Sequence, residues 1–254
     1  MRALIGRALR RVTARTNGAA VRKPAPTWEA LATTRNVDDA VKLIEASYDF
    51  HRHPYFVWMD SPRTSKTDFR RTQVPFRFAV ESYSQALAAV LAHVPQLEMR
   101  LLVADNVAEE HGHGKARASH KATFHGYLRA LGATEAELAT ACPVTVCAFN
   151  YSLLDFCLVQ PYESGAALLG IIEHLYVGIS TSIARTLHGR AWVAPGSQRH
   201  YDVHQKLDVS HARDLLALCQ PGLKESRARA QIALGLALGA HWFWRLYLDL
   251  HDMH

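Results

Sequence analysis

The chain has 254 residues, of which 49% are hydrophobic and 20% charged, an ordinary globular balance that excludes bulk disorder and is long enough for a large core. The formal net charge of +6 suggests nucleic acid, but Arg2, Arg7, Arg10, Arg11, Arg15, Arg22 and Lys23 all precede the first acid at Glu29. Without those seven, 22 basic residues face 23 acidic ones, and no basic stripe of the kind that tracks phosphates remains.

Residues 1–27 therefore read as a basic N-terminal arm, and 28–254 as one domain. The arm resembles a transit peptide in being Arg-rich and free of acids, although only Thr13 and Thr16 supply hydroxyls. The plainer reading is a basic flexible leader that ends at Lys23-Pro24-Ala25-Pro26. Arg7 breaks the apolar run near Leu4, so no secretory signal is expected. Cys142, Cys147, Cys157 and Cys219 have no C-x-x-C spacing and read as reduced core thiols of a cytoplasmic protein.

Prolines punctuate the remainder, and the longer pieces between them carry helical periodicity, which makes the class all-α. A helix is expected from Val37 to Tyr48, then an irregular segment through His51 to Pro62, then a long helix from about Pro75 to His93. Gln96 to about Leu131 is helical but interrupted at Gly112 and Gly114. Thr134 with Glu137 three residues on is a capping box that opens a short helix. Helices follow at Val144–Gln160, Tyr162–Leu187, Arg199–Leu218 and Leu223–Asp252. Seven or eight helices with short connections fit a compact bundle.

Within that frame three groups of residues carry chemistry. His204, Asp208 and His211 stand at i, i+4 and i+7, which puts two imidazoles and a carboxylate on one helix face, a donor set suited to iron or manganese. Fifteen histidines in the chain make such a triple common by chance, so matching ligands elsewhere decide its weight. Glu173 sits in an otherwise apolar helix and needs a partner, either a metal or an arginine such as Arg185 or Arg245. A membrane span there is excluded by Glu173 and His174 at its middle. Glu110 pairs by spacing with His113 on an unbroken helix, or with His120 if the two glycines break it; the residues alone leave both open. Glu81 is a further acid in an apolar helix, and on spacing reads as an ordinary half-buried side chain.

The run Asn106-Val-Ala-Glu-Glu-His-Gly-His-Gly with His120-Lys-Ala-Thr-Phe, then Glu173 in its apolar helix and H-x3-D-x2-H at 204–211, resembles the heme-oxygenase-like diiron oxidases. These are iron-containing redox enzymes related to the thiaminase-like and PqqC-like proteins. The resemblance covers roughly Phe76 to Leu218 and implies a heme-oxygenase-like bundle. It implies Glu81, Glu110, His120, Glu173, His204, Asp208 and His211 as ligands of two iron ions, with O2 as co-substrate. Four carboxylates would then balance two ferrous ions. The expected activity is oxidation of a small amino-acid-derived metabolite in a biosynthetic pathway, N-oxygenation first. Oxidative decarboxylation, C–C cleavage or desaturation of an amino or fatty acid is the alternative. An anionic substrate would require a buried cation, for which Arg77, one turn before Glu81, is the candidate. An external electron donor and a homodimer belong to the same expectation, with no nucleic acid and no membrane as partners. A metal-free protein that binds a ligand with its histidines, or a cofactor-independent oxidase, is the reading from another class.

Overall fold

The computed structural model describes residues 28–197 and 199–254; the basic arm expected at 1–27 lies outside them. Eleven α-helices are described: α1 (Trp28–Thr33), α2 (Val37–Ser47), α3 (Pro54–Asp60), α4 (Lys66–His93), α5 (Leu97–Glu110), α6 (His120–Ala130), α7 (Glu135–Leu138), α8 (Val144–Val159), α9 (Tyr162–Gly189), α10 (Arg199–Ala217) and α11 (Ser226–His251). Eight of them have eleven residues or more, and there is no strand among the described residues.

Local chemistry sets most boundaries. Side chains of Asn36, Ser65 and Ser119 accept hydrogen bonds from backbone N–H groups at the starts of α2, α4 and α6. Thr134 and Glu137 form the expected reciprocal capping box at α7. Two expectations are corrected. The segment after His53 is not irregular: Pro54 opens α3, and the His53 ring nitrogen Nδ1 accepts from the Tyr55 N–H at 3.0 Å. Pro75 does not start α4 but lies inside it, because the helix begins at Lys66. An interior proline costs about 3 kcal/mol, and the burial of Phe69, Thr72, Val74 and Phe76 around it offsets that cost.

α9 is the axis of the bundle, with α10 packed along one side and α11 along another. Two glycines one turn apart allow the second contact: a Cβ at Gly235 or Gly239 would overlap the carbonyl oxygens of Ser164 and Leu168. α4 packs on α8, α5 and α6 and closes the opposite side. By length and composition α9 could cross a membrane, but 78% of its most apolar 18-residue window is buried among the other helices. α9 is thereby surrounded, and a polar side chain on its inner face must find its partners within the protein.

Candidate metal centre

Such a side chain is Glu173, 4% exposed in the middle of α9. Neither arginine considered as its partner is there: Arg245 pairs with Asp249 at 2.8 Å, and the nearest acid to Arg185 is Asp60 at 3.6 Å. Glu173 instead meets α10, whose one face carries His204, Asp208 and His211, all buried. One ligand atom each from Glu173, Asp208 and His211 lies within 4.8 Å of the others. A second set adjoins the first: the Glu110 carboxylate is 2.8 Å from His120 Nδ1, and the His120 and His204 ring centroids are 4.4 Å apart. The two sets are joined by His204 Nδ1, which is 2.7 Å from Asp208 Oδ1.

The glycine-rich turn decides between the two histidines that spacing left open. α5 stops at Glu110, and Gly112, His113 and Gly114 all have positive φ, at 64°, 50° and 79°. Three such residues in succession reverse the chain, leave His113 with a 61% exposed side chain, and bring His120, the first residue of α6, back against Glu110. Gly112 is also fixed sterically, because a Cβ there would lie 2.6 Å from the backbone of Ala118.

Two residues singled out from the sequence are not part of this cluster. Glu81 is half-buried and clamped by Lys121 at 2.9 Å and His125 at 2.7 Å. Arg77 is buried, but its guanidinium is spent on the chain itself: it donates to the carbonyls of Val74, Leu138 and Thr140 and so ties the end of α7 to α4. Arg77 lines neither cavity that adjoins the cluster. Arg77→Met should therefore lower thermal stability by at least about 3 kcal/mol, since several buried carbonyls lose their donor, while leaving metal stoichiometry unchanged; calorimetry and elemental analysis of the variant check both halves.

Three further polar residues complete the surroundings. Glu109 Oε2 is 2.7 Å from His211 Nε2, so the ring donates there and presents Nδ1 to the cluster. Asn106, one turn before Glu110 and 3% exposed, has no hydrogen-bond partner for either amide atom among the described residues. His200, one turn before His204, is buried, with Nε2 3.3 Å from the Tyr176 hydroxyl. Beneath them Tyr201 donates to Gln73 Oε1 at 2.5 Å and anchors α10 to α4. The i, i+4 relation of Asn106 to Glu110 and of His200 to His204 was the available sequence signal for two of these.

The electrostatics are those of acids crowded away from water. Burial pushes Glu173 and Asp208 well above the ordinary carboxyl range; repulsion from Asp208 and Glu110 adds to it at Glu173, and repulsion from Glu110 adds to it at Asp208. Burial would raise Glu110 too, yet the imidazoles of His120, His204 and His211 outweigh it and hold that carboxyl below its usual value. His120 is shifted up, because Glu110 outweighs the burial that disfavours its charged form. His204 is pushed down to about 3 by burial and by His120, so its ring is neutral and has a lone pair to give.

The fit of these residues to a metal can be judged from what they leave unmade. Glu173 Oε1, Asp208 Oδ2, His204 Nε2 and His211 Nδ1 are all buried without a hydrogen-bond partner among the described residues. Each is a metal-donor atom, and buried carboxylate oxygens rarely go unpaired without reason. The donor set fits an iron-type cation.

Solved structures with a similar course of chain place the bundle in the heme-oxygenase-like fold. A domain of unknown function with that fold from Shewanella denitrificans aligns at a TM-score of 0.64 and 13% identity, covering 85% of this chain and 89% of the other. A TenA homologue from Pseudomonas syringae pv. tomato aligns at 0.65 and 12%, covering 91% and 97%. A TenA family transcription regulator from Silicibacter sp. aligns at 0.62 and 12%, covering 89% and 97%. Residues 76–244 match the family model described as iron-containing redox enzyme, and the chain belongs to that family. Comparison with curated proteins returns no relative.

Proposed function

We propose that the protein is an O2-dependent non-heme diiron oxidoreductase acting on a small amino-acid-derived metabolite, with N-oxygenation as its first reaction class. The observation that carries this is the set of four buried donor atoms without partners on Glu173, Asp208, His204 and His211, in a member of an iron-containing family. Glu173, Asp208 and His211 would hold one ion, and Glu110, His120 and His204 the other. Bound ferrous ions supply the electrons and the Lewis acidity that O2 reduction needs. The chain's own part is to position and to balance charge. Glu109, Glu110, Glu173 and Asp208 carry the four negative charges that two divalent ions neutralise, with Glu109 in the place that Glu81 held in the sequence-based count. Glu109 also fixes the orientation of His211. Apolar walls from Phe76, Phe149, Ile172 and Phe243 exclude bulk water.

Oxidative decarboxylation, C–C cleavage or desaturation of an amino or fatty acid is the second reading. 18O2 separates the two, since label enters a nitrogen product and is absent from an alkene. A metal-free ligand-binding protein or cofactor-independent oxidase has no reason to bury Glu173 and Asp208 with unpaired oxygens. Anaerobic titration with Fe(II) should reach two ions per chain, followed by an absorbance change on exposure to O2. Saturation well below two, with no optical response, overturns the reading.

A further inference from the structure

Two cavities share the rings of His120, His200 and His204 and otherwise have different walls. The first, of about 50 Å3, is lined by Phe76, Ala79, Val80, Phe149, Ile172 and Phe243 beside Glu110 and Glu173. Its apolar walls disfavour water and suit an apolar gas such as O2. The second, of about 260 Å3, extends from the same histidines to the glycine-rich turn and is sized for a small metabolite. A larger groove of about 720 Å3 between α2, α9 and α10 includes none of these three histidines.

The second cavity has a cation at its rim and a single acid, which is already engaged. Its mouth carries Lys115, whose ammonium has no ion-pair or hydrogen-bond partner among the described residues, and the exposed His113. Its acid, Glu109, is already bound to His211 at 2.7 Å. α6, with the positive end of its dipole at His120, starts on the same wall. Arg77 lines neither cavity, and no lysine or arginine lines the first.

We propose that the second cavity is the substrate site and takes a small amino-acid-like molecule: Lys115 binds its carboxylate at the mouth, its other end lies against His120 and His204, and O2 occupies the apolar cavity. The assignment rests on the oxidase reading above for the role of the histidines, but binding can be tested without it.

Norleucine and n-pentylamine differ by one carboxylate. Calorimetric titration of metal-free protein should show norleucine binding more tightly by about two- to fivefold, the gain expected of one solvent-screened ion pair. Lys115→Gln should abolish the difference, Lys115→Arg should keep most of it, and both variants should retain the wild-type melting temperature and iron stoichiometry. Equal binding of the two probes, failure of both to bind, or a preference that survives Lys115→Gln overturns the proposal. If two ions bind and the preference is missing, the substrate site alone is refuted. If the preference is present and iron does not bind, the oxidase reading alone falls.

Discussion

Replacing Asp208 with asparagine should abolish tight iron binding and, in the same step, make the metal-free protein more stable. Asp208 is fully buried on the inner face of α10, with Oδ1 2.7 Å from His204 and Oδ2 unpartnered. Without metal, its charge is opposed first by burial and then by Glu110. An amide of the same shape keeps an acceptor for the His204 N–H and removes a buried ionisable group together with its repulsion from Glu110. Relief of one buried like-charge contact is worth about 1–2 kcal/mol, and in a domain of this size each kcal/mol moves Tm by about 2–4 °C. The apoprotein of Asp208→Asn should therefore melt several degrees above the wild type. Iron affinity should drop by at least about 100-fold, since changing even a group that only orients a ligand costs 10–100-fold. Melting curves in chelator and iron per chain after desalting test both. A variant that melts lower and keeps its iron would show that Asp208 serves packing and not metal.

How far the site could be read in advance depends on where each residue finds its partner. His204, Asp208 and His211 were legible because helical geometry alone puts them on one face. Glu173 was legible because a charge in a helix as apolar as α9 must be answered by something. Glu81 carried the same local signature and has another answer, because its partners Lys121 and His125 come from α6, 40 and 44 residues away. The choice of His120 over His113 was half legible. Two glycines announce a break, but the direction in which Gly112, His113 and Gly114 turn the chain is a property of their φ angles. Arg77 looked like a substrate cation only because its backbone acceptors at Leu138 and Thr140 lie sixty residues on. Glu109 was hidden beside Glu110, since adjacent helix positions face different neighbours and only the placement of His211 reveals its use. The Pro75 boundary failed for a related reason: a local penalty was weighed without the tertiary burial that offsets it. Periodicity thus specified the helices, while the pairing of charges between helices required the fold.

The stabilisation that iron confers should grow as the pH rises from about 6 to about 8. In the metal-free protein Glu173 and Asp208 have folded-state pKa values raised above 4.5 and 3.8, and His120 has one raised above 6.5. The folded protein therefore holds more protons at these groups than the unfolded chain does, and its stability falls as pH climbs from each unfolded value through the folded one. Glu110, with its pKa lowered, acts oppositely: its contribution is present above 4.5 and is lost as the pH falls through its folded value, so it plays no part near neutrality. Metal binding removes the surplus protons, because a cation needs deprotonated carboxylates and imidazole lone pairs, so its affinity rises by up to about tenfold per pH unit for each proton released. The metal-free melting temperature should accordingly decline across this range while the iron-loaded one declines less. At free metal about 1,000 times the dissociation constant the added stability is about 4 kcal/mol, or about 8–16 °C in Tm. Anaerobic melting curves at three pH values, with chelator and with Fe(II), measure the gap directly. A gap that stays constant or narrows toward higher pH would mean that the buried acids of α9 and α10 are not the groups the metal displaces protons from.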